Sequence, residues 1–94
     1  MTWLDNYLAR LRSQHPGYVL VIVEGGWFSV YDQDADVMHR ILNWNEFTYQ
    51  GHRKSGCPTD SLNIFNALQS HGYAYKLIYN GNIAAAKDLF DFVD

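Results

Sequence analysis

The chain reads as an α/β domain, a central mixed sheet flanked by helices, and three observations predict it. Residues 18–24, Tyr-Val-Leu-Val-Ile-Val-Glu, form a nearly unbroken apolar run. A run without polar alternation is the pattern of a strand covered on both faces. Gly25-Gly26 follows at once and turns the chain back through Trp27-Phe28-Ser29-Val30-Tyr31, the signal of a two-residue hairpin whose glycines supply positive φ angles. Apolar residues at helical spacing lie on both sides of this hairpin, so helices and strands alternate along the chain.

The first helix is marked by Thr2 and Asp5, spaced as a capping box with Asp in place of the usual Glu or Gln. Trp3, Leu4, Tyr7, Leu8 and Leu11 recur at helical spacing, and Pro16-Gly17 stops the helix. The hairpin 18–24/27–31 follows. Asp32 is the N-cap candidate of a second helix, with Asp34 and Asp36 in its first turn and His39 and Arg40 near its end. Both placements suit the helix dipole. Its apolar stripe is Ala35, Met38, Ile41 and Leu42.

Residues 43–56 are polar and aromatic, with a short strand expected at Phe47–Gln50. The segment Gln50-Gly-His-Arg-Lys-Ser-Gly56 reads as a loop or hairpin tip and is the most basic place in the chain. A third helix is expected from about Thr59 to His71, with Leu62, Phe65, Leu68 and Gln69 on one side and Gly72 as its left-handed cap. Tyr73–Tyr79 reads as a strand and Asn80-Gly81 as a turn. A last helix is expected from Asn82 through Ile83, Ala86, Phe90 and Val93.

Composition bounds the function. Ninety-four residues make one domain, 1–94, and 48% apolar with 16% aromatic content favours a folded globule with some aromatics at its surface. Such a domain buries roughly 65% of its unfolded surface, enough for a core without staples. Cys57 is the only cysteine, so no internal disulfide or cysteine-rich zinc site forms. The amino terminus has neither a basic start nor a sustained apolar region, and no run is long enough to span a membrane. A soluble cytoplasmic protein without membrane contact is expected. Net charge is −3, against the basic excess of an autonomous nucleic-acid binder, so any DNA contact must rest on local charge placement.

Catalytic chemistry finds little support. The histidines His15, His39, His52 and His71 show no ligand spacing and are expected to face solvent rather than a metal. Cys57, before Pro58 and a helix, sits where a helix N-terminus lowers a thiol pKa, but no histidine is tied to it and an incidental small residue is the plainer reading. Glu24 ends the central strand without the Glu-x-Lys of a metal-dependent nuclease. Asp32, Asp34 and Asp36 read as helix-start residues. No phosphate-binding Gly-x-x-x-x-Gly-Lys-Ser/Thr loop occurs. No enzyme activity and no cofactor are expected.

One arrangement carries more. Gly25-Gly26-Trp27-Phe28-Ser29 after a buried strand, Gln33-Asp34-Ala35 at a helix start, Ser55-Gly56-Cys57-Pro58, and His71-Gly72-Tyr73-Ala74-Tyr75-Lys76 occur in this order. Together they resemble the N-terminal mismatch-recognition domain (domain I) of the MutS family, over residues 4–79. There a hydrophobic strand runs into Gly-Asp-Phe-Tyr-Glu, whose Phe-x-Glu pair touches mispaired DNA, and then into a helix. The resemblance implies a recognition domain of DNA repair, detached from the ATPase. It places Trp27 in the position of the Phe and Ser29 in the position of the Glu, so the carboxylate does not carry over.

Strand alternation puts Trp27, Ser29 and Tyr31 on one face and Phe28 and Val30 on the other, the second most simply meeting the core. Trp27 is then either an accessible wedge at a base step or a buried residue under two covered faces. His52, Arg53 and Lys54 are either phosphate contacts or a plain solvated loop. Two or three phosphates give a salt slope of only about −2 to −3, hence weak binding of double-stranded DNA. Two functions remain: a DNA-binding module for mismatched or distorted DNA, and a protein-interaction module that keeps the fold without DNA recognition.

Overall fold

The computed structural model of the chain describes residues 2–79. Along them run α1 (Trp3–Gln14), β1 (Val19–Glu24), β2 (Trp27–Tyr31), α2 (Gln33–Leu42), β3 (Phe47–Tyr49), β4 (His52–Pro58), α3 (Asn63–Ser70) and β5 (Tyr75–Tyr79). The turn and helix expected from Asn80 onward lie outside the described residues.

The strands form one mixed sheet in the order β3-β4-β2-β1-β5. β1 pairs antiparallel with β2 (Ile22 opposite Ser29, Glu24 opposite Trp27) and parallel with β5 (Val19 opposite Tyr75). The hairpin and the α/β class expected from the apolar run are therefore present. Only Gly25 takes a positive φ, 64°; Gly26 does not, and its carbonyl accepts from Thr59 N at 3.0 Å.

Paired residues share a face, so the register divides the sheet in two. Val19, Val21, Phe28, Val30 and Cys57 meet Ala35, Val37 and Met38 of α2 and Ile64 and Leu68 of α3. Leu20, Ile22 and Tyr31 meet Leu4, Tyr7, Leu8 and Leu11 of α1. Both faces of β1 are thus covered, which is why it lacks polar alternation. Val23, near its open end, is only half-buried.

α1 is closed by the expected capping box: Asp5 N donates to Thr2 Oγ1 (3.1 Å) and Thr2 N to Asp5 Oδ2 (2.9 Å). Arg12 pins its far end, donating to Asp34 Oδ2 and to the Tyr31 carbonyl. Trp3 does not join the core but stacks on Tyr7 with centroids 5.0 Å apart, at the exposed edge of the helix.

The structure modifies several of these expectations. The basic segment is not a loop: His52–Pro58 is strand β4, laid between β2 and β3, and the tip is Gln50-Gly51, both at positive φ. Small residues at 55–57 let this strand lie under α2 and α3 on one side and under Trp27 on the other. Asp32 stands at the N-cap position of α2 as expected, but it holds φ 54° and its side chain makes no cap bond; its carboxylate turns to β4 instead. Asp34 lies in the first turn of α2 as expected, and it is also buried. Its Oδ2 accepts from Leu20 N and Arg12, while burial raises its pKa.

α3 begins at Asn63, because Thr59 and Ser61 are used in a turn onto Gly26 and Pro58. Ile64, rather than the exposed Leu62, is its inner residue beside Leu68. Gly72, at φ 79°, follows its end as expected, with Tyr73 N returning to the Leu68 carbonyl at 2.9 Å.

Candidate nucleic-acid interface

The hairpin turn delivers Trp27 to the start of β2, on the face that α1 covers farther along the strand. Trp27 is 43% exposed, whereas Ser29 on the same face is 0% exposed. Both faces of β2 are covered, yet Trp27 stays open, a combination that neither sequence reading contained. The reason lies across the strand pair. A Cβ on Gly56 would meet the Trp27 indole at Nε1, would lie 2.8 Å from its Cδ1, and would lie 2.5 Å from the Phe28 carbonyl oxygen. The pyrrole side of the indole occupies the space that any other residue at 56 would fill.

Beside Trp27 lies a polar cluster that the sequence did not reveal. Glu24, the direct cross-strand partner of Trp27, accepts from Ser29 Oγ (2.8 Å), Tyr31 Oη (2.8 Å) and Lys54 Nζ (3.0 Å). The Lys54 ammonium also sits 5.1 Å from the Tyr31 ring centroid and 4.4 Å from that of Tyr49. Burial, then the Glu24 charge, pushes the Tyr31 phenol far above its ordinary range. Lys54 and Glu24 are only 14% and 18% exposed in their side chains, so this ion pair is largely shielded from water.

The other two basic residues of β4 are also engaged. Arg53 grips Asp36 through Nε (2.9 Å) and Nη2 (2.7 Å), and this contact holds the Asp36 carboxyl down to about 2. His52 bridges Asp32 (Nδ1, 2.7 Å) and Asp5 (Nε2, 2.5 Å), which raises its pKa. It therefore ties α1 and the approach to α2 onto β4. His52 and His15 are half-buried, against the expectation of four solvent-facing histidines. The sites expected from sequence are thus spread along the sheet: Trp27 at one end, Lys54 in the shielded middle, His52 and Arg53 at the other end.

Phe47 and Tyr49 complete the surface. They pair with Lys54 and His52 in the β4 register, so they share the face of Trp27, and they are 53% and 42% exposed. Their alternation around Thr48 was the available signal.

The arrangement offers stacking surface and little chemistry. Cys57 lies within β4 rather than at a helix start, and burial pushes its thiol up, away from reactivity. Among the described residues no group of three His, Cys, Asp or Glu side chains is disposed to hold a metal ion. No described helix is long and apolar enough to cross a membrane.

A family model described as MutS domain I matches residues 2–89 of the chain. No curated protein matches it.

Proposed function

The chain belongs to the MutS domain I family, and we propose that it is a non-catalytic module that binds DNA whose stacking is disturbed, through Trp27. The observation that carries this reading is the open indole at the start of an otherwise covered strand. A large aromatic left exposed beside a tight turn is available to stack on a base, which contributes about 1–3 kcal/mol.

Ser29 does not take the part of the family's carboxylate, because it is buried and its hydroxyl is spent on Glu24. His52, Arg53 and Lys54 come second as phosphate contacts. Each would have to exchange an internal carboxylate for a phosphate, so the electrostatic share of binding is small and affinity stays near the ~10⁻⁴ M end of non-specific binding.

The test is a titration of labelled mismatched and matched oligonucleotides at low salt with wild type and Trp27→Ala. Loss of affinity in a folded variant supports the reading; a wild type that binds none rejects it.

A protein-interaction module is the second reading, favoured by one observation. Phe47 and Tyr49 are exposed on β3, the edge strand, while the cations beside them on β4 are already paired. An apolar surface without free charge suits a protein better than a polyanion.

A further inference from the structure

β3 is an edge of the sheet, and among the described residues no strand pairs with its outer side. The register shows which of its backbone groups are left over. Thr48 stands opposite Arg53. The Arg53 backbone is turned away from it: the N–H donates to Asp32 Oδ1 (3.2 Å) and the carbonyl accepts from Asp32 N (2.8 Å). In an antiparallel ladder the two residues of such a pair aim their N–H and C=O groups away from each other. The Thr48 N–H and carbonyl therefore point outward, past the edge of the sheet.

We propose that this edge joins two copies of the chain, β3 against β3 and antiparallel about Thr48, which gives the protein-interaction reading a partner. Each Thr48 then donates to and accepts from the Thr48 of the other copy. On either side, Phe47 of one copy lies opposite Tyr49 of the other. Those pairs fall at the non-hydrogen-bonded positions, where side chains approach most closely, and aromatic pairs there stabilise a ladder. Both rings are open in the single chain, 53% and 42% exposed, and they share one face of the strand. The strand is thus its own complement, as a two-fold interface requires.

Charge admits a second acidic copy here. Beside β3, Lys54 is matched by Glu24 and Arg53 by Asp36 within the chain. Glu46, which precedes the strand, falls opposite Gln50 of the other copy in this register, so like charges do not meet. Phe47-Thr48-Tyr49 carries no Lys or Pro of the kind that guards natural edges against pairing, whereas the β5 edge carries Lys76. Three residues make a small interface, which implies a weak dimer with a Kd of about 10 μM to 1 mM.

The experiment is sedimentation equilibrium of the full chain from about 10 μM to 1 mM, with the Thr48 amide followed by NMR over the same range. The mean mass should rise toward that of two chains. The Thr48 N–H should shift and exchange more slowly as it does, while the Trp27 Nε1–H stays in place. Thr48→Pro removes the outward donor, and proline is tolerated where an edge N–H faces solvent, so this variant should stay folded and monomeric. Phe47→Ala leaves the backbone intact and should weaken dimerisation about 2- to 30-fold, from the ~0.2–1 kcal/mol of each of its two aromatic pairs. A chain that stays monomeric at about 1 mM, or a dimer indifferent to both variants, overturns this inference. Neither result removes the wider protein-interaction reading, which would then need a different protein on β3, or the DNA-binding reading, which the oligonucleotide titration tests separately.

Discussion

Trp27 rests in the space that a side chain at residue 56 would occupy, so the indole and Gly56 form one unit across β2 and β4. Gly56→Ala should therefore displace the indole and strain the Phe28 carbonyl. The expected cost is about 1–3 kcal/mol of stability, as for overpacking. Chemical denaturation measures the loss, and the change in Trp27 environment should appear in its indole NMR signal. Gly56 is not at positive φ, so backbone conformation does not confuse the result.

Trp27→Ala should be mild in comparison with a core truncation. Removing a buried Trp costs about 3–5 kcal/mol. Trp27 is nearly half exposed, so a loss of about 2–3 kcal/mol is expected from the apolar surface it buries. A collapse of the melting transition would assign Trp27 to the core.

Ser29→Glu should not create a recognition carboxylate. The site is fully buried, and the new charge would face Glu24, which now accepts from Ser29 Oγ. A loss of about 3–5 kcal/mol is expected, the scale of an uncompensated buried charge. Thermal melting checks it. A stable Ser29→Glu variant would mean that position 29 opens to solvent.

Freeing a cation should strengthen DNA binding more than removing one weakens it. Asp36→Asn releases Arg53 from its carboxylate, and one added phosphate contact should steepen the salt slope by about 0.7–0.9. Arg53→Ala should flatten the slope by less than that, because Arg53 must first leave Asp36 to reach a phosphate. Titrations at several salt concentrations distinguish the two.

Stability should also depend on His52. Its folded pKa is raised, first by Asp32 and then by Asp5, above the ordinary value of about 6.5. Its contribution is complete below that value and is lost as pH rises through the raised pKa. The urea midpoint of wild type should fall as pH rises above about 6.5, and His52→Gln should remove most of that fall. Asp36 and Asp5 act in the opposite direction. Their lowered pKa values supply stability above about pH 3.8 that disappears as acid protonates them.

These residues also show what a sequence can and cannot display. The apolar run, the glycine turn, the Thr2–Asp5 capping box and Gly72 are local signals, and each appears in the structure where spacing puts it. β4 was hidden because Gly56 and Pro58 look like turn residues and His52-Arg53-Lys54 looks like a solvated tip. It is a strand because β2 and β3 pair with it on both sides. The site was hidden for a related reason. Glu24 meets Lys54 thirty positions away, and Asp5 meets His52 at a separation of forty-seven. Folding alone brings such pairs together, so charges that read as free in the sequence are neutralised in the structure. Trp27 was visible as a candidate, but its partner Gly56 was not, since a missing side chain matters only when something else fills its space.

The most direct test of the central claim follows the Trp27 indole Nε1–H by NMR while a mismatched oligonucleotide is added to the full chain. A contact at Trp27 predicts that this signal shifts more than those of Trp3 and Trp44, and that the shift saturates with the same affinity as the titration of labelled oligonucleotides. An unmoved Trp27 signal during saturable binding would contradict the claim and move the contact elsewhere on the surface.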